Sequence, residues 1–133
     1  MRGSAAAADV YQRRIAIPSS VTSIKGGAFG RCEGLEELKV EKGNPVYHSE
    51  GNCLIETESK TLLAGCKNSR IPTDGSVASI GDWAFYGCSG LTSITIPSSV
   101  TSIKGGAFCR CGGVEELEVE NGNPVAYGEG NCL

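Results

Sequence analysis

Residues 94–108, ITIPSSVTSIKGGAF, repeat residues 15–29, IAIPSSVTSIKGGAF, with a single substitution. The match continues without a gap from 15–54 to 94–133, and 31 of the 40 positions are identical. A shorter period of 23 residues runs inside this large unit. Periods of this length are typical of solenoids, in which each unit buries its apolar face against the next one.

Three repeat units can be recognised, at about 17–40, 71–94 and 96–119. In the second unit, the spacing Leu91-x-x-Ile94-x-Ile96 predicts a short strand with alternate side chains facing the core. A second apolar pair earlier in each unit predicts another extended segment, and an Ala-Phe pair predicts a helical turn that places its ring in the core. Each coil should therefore have a strand wall, a second wall and a corner turn.

An insertion at 41–70 separates the first two units. Within it, apolar stretches on both sides of 57–60 predict a β-hairpin with a four-residue loop. The same insertion starts again at 120–133, where the sequence ends before the hairpin is complete. Residues 1–14 do not match the repeats and are interpreted as a vector-like or non-repeat leader, which makes 15–133 one repeat domain.

The segment VASIGDWAFYGCSGLTSITIP, residues 77–97, resembles the BspA-type leucine-rich repeats, the family also described from Treponema pallidum. Looser copies lie at 21–40 and 100–119. The resemblance implies a leucine-rich-repeat solenoid, mainly β with short helical turns and interrupted by the β-hairpin. It also implies a cell-surface or secreted protein of a host-associated microbe, with a role in adhesion to host proteins or in co-aggregation.

Composition argues against several other classes of protein. The chain has 15 acidic and 12 basic residues without a basic stripe, so nucleic-acid binding is not expected. No apolar run is long enough to span a membrane. The only histidine, His48, follows a turn signal and is interpreted as a surface-loop residue, with no nucleophile assigned to it. We therefore predict neither enzyme activity nor a cofactor.

Seven cysteines are present, and most occupy repeat-equivalent positions. Cys32, Cys88 and Cys111 share one such position, which favours small buried side chains, with disulfides and metal ligands as alternatives. Cys109 is an addition to the repeat and is expected to be an exposed thiol. A second function therefore stays open, a metal-binding or redox-responsive protein. It would act through Cys109 and Cys111, with Cys53, Cys66 or Cys132 contributing.

The outward-facing residues of the strand wall are the predicted contact surface for a partner protein. This concave wall is acidic at its ends and rich in hydroxyl groups in its middle. The residues predicted to make contacts are Glu37, Lys39, Ser93, Thr95, Glu116 and Glu118. The alternative is a solvated charged surface that only keeps the protein soluble.

The repeat ends are predicted to associate between chains, because solenoid ends without polar caps expose strand edges. Asn131, Cys132 and Leu133 form a strand-like segment without its hairpin partner. Strand addition or hairpin exchange there predicts a homo-oligomer, with a dimer favoured. A purely structural, self-assembling repeat without an external ligand is a third possibility.

Overall fold

The computed structural model describes residues 14–25, 29 and 34–120, and within them the chain forms nine short strands and no helix. The strands are β1 (Arg14–Ile17), β2 (Glu37–Val40), β3 (Tyr47–Glu50), β4 (Cys53–Glu56), β5 (Thr61–Ala64), β6 (Ser79–Ile80), β7 (Ser93–Ile96), β8 (Ser102–Ile103) and β9 (Glu116–Val119). The strands belong to stacked coils, so the predicted leucine-rich-repeat solenoid, mainly β, is confirmed.

The strand wall follows directly from the period of the sequence. β1 pairs in parallel with β2, and β7 pairs in parallel with β9. In both pairs the partners are 23 residues apart, as in Ser93 beside Glu116. Because equivalent residues of successive coils meet, each strand turns the same alternate side chains inward.

The second wall is a five-stranded sheet in the order β3-β4-β5-β6-β8. The strands β4 and β5 are antiparallel around residues 57–60, so the predicted hairpin is confirmed. From β5 onward the pairing is parallel, through β6 to β8. The hairpin insertion is therefore continuous with the wall of the repeats, and β3 extends it by one strand that the sequence did not predict.

The corners of the second and third units are series of turns, and they do not contain the predicted short helical turns. Ala84 N donates to Gly81 O at 3.3 Å and Cys88 N donates to Phe85 O at 3.1 Å, both bonds of the turn type. Gly87 has a φ of +73°, a left-handed conformation that does not continue a helix. The corner backbone also bonds to the next coil, since Phe85 N donates to Ala107 O at 2.8 Å.

The core of the second and third units is a column of equivalent side chains. Phe85 and Phe108 are fully buried and stack with ring centroids 5.2 Å apart and planes inclined by 4°. Cys88 and Cys111 are buried in the same cluster, as predicted for the repeat-equivalent cysteines. Their counterpart Cys32 lies outside the described residues.

Two polar side chains fasten the first coil to the segment that follows it. The amide of Asn44 donates to Val21 O at 2.8 Å, while its oxygen accepts from Tyr47 N at 2.8 Å. A carboxylate oxygen of Glu41 accepts from Ser19 N at 2.7 Å, and this bond lowers the pKa of Glu41. The equivalent bond in the later copy runs from Ser98 N to Glu120, at 2.6 Å.

Neighbouring glycines of the third unit provide a test of the coil spacing. A Cβ atom on Gly113 would lie 2.2 Å from the carbonyl oxygen of Ser89 in the preceding coil. A backbone atom cannot move aside without shifting the coil, so Gly113→Ala should lower the free energy of unfolding by about 1–3 kcal/mol. Chemical denaturation followed by circular dichroism measures this value.

Gly112→Ala is the matched control, because nothing lies within 4 Å of a Cβ atom at this position. This variant should leave the free energy of unfolding unchanged or raise it by up to about 1 kcal/mol. Equal stabilities for the two variants would contradict the close coil-to-coil approach at Gly113.

Candidate functional site

The outward side chains of the strand wall stand where the sequence placed them. In β7, Ile94 and Ile96 are buried while Ser93 and Thr95 are exposed. In β9, Glu116 and Glu118 are exposed, and in β2 Lys39 is exposed while Glu37 is half-buried. The six predicted contact residues therefore share the outer side of the two parallel strand pairs.

Strand register arranges these side chains in rows. Ser93 lies beside Glu116, and Thr95 lies beside Glu118. A hydroxyl row therefore borders an acidic row at the distance of neighbouring strands. In β2, Lys39 Nζ lies 3.9 Å from Glu37 Oε2, a long and exposed ion pair that contributes little to stability.

A cavity of about 530 Å³ opens between β7 and the end of the insertion. Its lining residues are Lys67, Asn68, Ser69, Arg70, Ile71, Thr73, Thr92, Ser93, Ile94 and Thr95. The hydroxyl groups in the middle of the predicted wall thus line the same cavity as Lys67 and Arg70, two cationic residues of the segment 41–70 that the sequence predicts as an insertion.

A signal for this segment was present in the sequence. The pair Ile71-Pro72 matches Ile17-Pro18 at the end of β1 and Ile96-Pro97 at the end of β7. It marks residues 68–71 as a degenerate rung of the strand wall. Residues 68–70 fall within the predicted insertion, and none of residues 68–71 forms a strand. The rung is therefore hard to recognise from the sequence.

Contacts with neighbouring residues outside the cavity hold the side chains and the backbone that line it. Lys67 Nζ lies 3.2 Å from Glu36 Oε2, and the amide nitrogen of Asn68 donates to Glu36 O at 3.2 Å. The stem of Lys67 packs over Gly90, where an added Cβ would lie 2.9 Å from the lysine Cδ. Arg70 N donates to Gly51 O at 2.8 Å, which fixes the backbone that carries the guanidinium.

Comparison with protein families supports the same assignment as the fold. The sequence model described as "BspA type Leucine rich repeat region" matches residues 5–126, in six copies. The chain belongs to the BspA-type leucine-rich repeat family. The repeat count is thus higher than the three units recognised from the sequence. The members of this family are non-catalytic repeats.

Two solved structures with a similar fold come from bacteria. A leucine-rich repeat protein from Eubacterium ventriosum is 25% identical with a TM-score of 0.56, over 80% of this chain and 36% of that one. The pneumococcal vaccine antigen PcpA is 20% identical with a TM-score of 0.68, over 82% of this chain and 28% of that one. This BspA-type chain therefore spans about a third of the length of these proteins. No curated protein matches it significantly.

Buried thiols weaken the alternative of a metal or redox site in this BspA-type repeat. Burial raises the pKa of the Cys53 thiol to about 12, and it also raises the pKa values of Cys66 and Cys111. A protonated thiol is a poor nucleophile and a poor metal ligand. Among residues 14–25, 29 and 34–120, no three potential ligands are grouped as a metal site requires.

Cys109 differs from its prediction as an exposed thiol. Only 8% of its surface is exposed, and it is disulfide-bonded. The extra cysteine therefore adds a covalent link to the buried corner of the third unit. The other cysteine of the proposed pair, Cys111, is a free and buried thiol whose sulfur lies 2.8 Å from Phe85 O.

His48 lies in β3, in contrast to its prediction as a loop residue. Its Nδ1 is 2.7 Å from the Thr57 hydroxyl, across the β3–β4 pair. This contact joins the half-buried His48 to the exposed Thr57 within the hairpin insertion. In the described part of the chain, no helix is long and apolar enough to cross a membrane.

The raised pKa of Cys53 has a measurable consequence. At pH 8, iodoacetamide should modify Cys53 in the folded protein at least about 100-fold more slowly than in guanidinium-unfolded protein, because only the thiolate reacts. The rate in the folded protein should increase as the pH approaches 12. Peptide mass spectrometry measures the labelling, and equal rates in both states would contradict a buried, protonated thiol.

Proposed function

We propose that this BspA-type repeat is a non-catalytic protein-interaction module of the adhesion type, which binds its partner through the strand wall. The observation that carries the proposal is the separation of roles within β7 and β9. Ile94 and Ile96 build the core, whereas Ser93, Thr95, Glu116 and Glu118 have no part in it. Exposed polar side chains on a rigid scaffold are suited to binding.

The charge of the wall indicates what kind of partner surface it fits. Glu116 and Glu118 alternate with inward residues, so both carboxylates project on the same side. Glu37 and Lys39 bring both signs of charge to the other half of the wall. The carboxylates of β9 would attract basic groups on a partner protein. This attraction would orient the partner and raise its association rate.

A bacterial cell surface is the proposed location of the protein that contains this module. Membership of the BspA-type family supports this location. The proposed partners are proteins of a host or of a neighbouring cell. The chain covers about a third of the length of the solved structures that it resembles. Any activity of a longer protein that contains this module is therefore also a proposal.

Self-association stays a prediction. The residues assigned to it, Asn131, Cys132 and Leu133, lie outside those that the structure describes. Light scattering on a sizing column should give an oligomer mass that persists in reductant, with a dimer favoured. A monomer mass that does not change with concentration would contradict this prediction.

Neutralising the acidic row tests the proposed binding surface. Immobilised fibronectin, laminin and collagen serve as probes, and biolayer interferometry measures the Kd of each. We expect at least one of them to bind, and Glu116→Gln with Glu118→Gln should raise its Kd about 10-fold, which corresponds to about 1.4 kcal/mol. Higher salt should weaken binding of the unchanged chain more than binding of this variant.

Glu58→Gln with Asp82→Asn is the control, since it removes two exposed carboxylates, one in the hairpin loop and one in the corner after β6, away from the strand wall. Its Kd should stay within about twofold of the unchanged chain. Equal losses in both variants would indicate a general charge effect, and no binding to any of the probes would contradict adhesion to matrix proteins.

A further inference from the structure

The cavity lies between residues 67–73 and β7, and the backbone edge of β7 differs from that of β2 in its hydrogen bonding. On the side of β2, Leu38 N donates to Asn52 Oδ1 at 3.3 Å and Val40 N donates to Ser49 Oγ at 2.8 Å. Side chains of the insertion thus satisfy the edge of β2. On the other side, no hydrogen bond joins residues 67–73 to β7 within the described part of the chain.

The free backbone groups of β7 belong to Ser93 and Thr95. Thr92 O accepts from Glu116 N at 3.2 Å, and Ile96 O accepts from Glu120 N at 2.8 Å, so the even-numbered residues face β9. Successive residues of a strand direct their N–H and C=O groups to opposite sides. Ser93 and Thr95 therefore direct theirs away from β9, towards the cavity.

The cavity carries positive charge beside the acidic row of Glu116 and Glu118. Its lining includes Lys67 and Arg70 but no carboxylate. Lys67 is already paired with Glu36, whereas Arg70 forms no ion pair with a described residue. The guanidinium of Arg70 thus offers unused donors in a planar fork, the geometry that best matches a carboxylate.

We propose that this cavity binds an extended peptide segment of a partner protein, with one acidic side chain at Arg70 and Lys67 and its backbone on the open edge of β7. This inference rests on the proposed interaction function and names the partner chemistry for one part of the wall. A peptide supplies the alternating donors and acceptors that the edge of a strand requires. The volume of about 530 Å³ lies in the usual range of binding pockets.

The acidic row limits the bound segment to one carboxylate. Glu116 lies beside Ser93 and Glu118 lies beside Thr95, one strand away from the cavity. Further acidic residues along the peptide would be repelled at this distance, whereas neutral or basic residues are accepted. The recognised segment is therefore a β-forming stretch with a single acidic residue.

A blocked hexapeptide of alternating threonine and valine, in which glutamate replaces one central threonine, is the probe. Isothermal titration calorimetry with the full chain at 0.1 M salt measures its Kd. Replacing the glutamate by glutamine should weaken binding about 10-fold, as should Arg70→Gln in the protein. Lys104→Gln, which changes an exposed lysine of the second wall, should leave the Kd within about twofold.

N-methylation of alternate peptide residues tests the backbone pairing, because it removes N–H donors and keeps the charge. One of the two alternate methylation patterns should weaken binding at least 10-fold, and equal binding of both patterns and the unmodified peptide would overturn strand pairing.

Equal binding of the glutamate and glutamine peptides, or no binding at 1 mM, would overturn the inference as well. Displacement of the peptide by a sulfated heparin disaccharide at lower concentration would assign the cavity to an acidic sugar instead.

The two proposals can fail separately. Matrix-protein binding that depends on Glu116 and Glu118, together with a peptide that does not bind, would overturn this inference alone. Peptide binding that depends on Arg70, together with no binding to any matrix protein, would overturn the adhesion proposal and leave the cavity assignment in place.

Discussion

Backbone hydrogen bonds between neighbouring coils are the constraint on which the rest of the structure depends. Phe85 N bonds to Ala107 O, and Lys104 N bonds to Ile80 O, each about one period along the chain. These bonds hold the coils at one spacing. They therefore allow Phe85 to stack on Phe108 and bring β7 into register with β9. The glycine next to Ser89 O is required for the same reason, since a side chain there would separate the coils.

The elements that recur with the period were predictable from the sequence, and the elements that depart from it were not. The strands β7 and β9 could be predicted because Ile94 and Leu117 occupy the same position in successive units. The alternation of core and surface residues in these strands also identified the outward contact residues. The cavity could not be predicted, because it exists only where residues 68–71 fail to form a regular rung. Its charge comes from Lys67 and Arg70, which lie in the insertion and not in one of the three repeat units.

Other differences also have local physical causes. The corners are turns because Gly87 adopts a positive φ, and the apolar pattern of Ala84-Phe85 alone does not distinguish a helical turn from this arrangement. β3 has few apolar residues and is stabilised by pairing with β4 and by Tyr47, whose buried hydroxyl accepts from Ile24 N at 2.9 Å. Cys109 looked exposed because it has no equivalent in the first unit, yet burial and a disulfide depend on neighbours that a repeat alignment does not show.

The bonds from Ser19 to Glu41 and from Ser98 to Glu120 bear on how stability is distributed along the solenoid. Each joins the end of one wall strand to the residue that follows the next, so it contributes to the coupling between neighbours and little to a single coil. The lowered pKa of Glu41 means that this contribution is present above its ordinary value of 4.5 and is lost as the pH falls through the folded-state value. Protonation of Glu41 in acid should therefore weaken the coupling between the coils that carry β1 and β2.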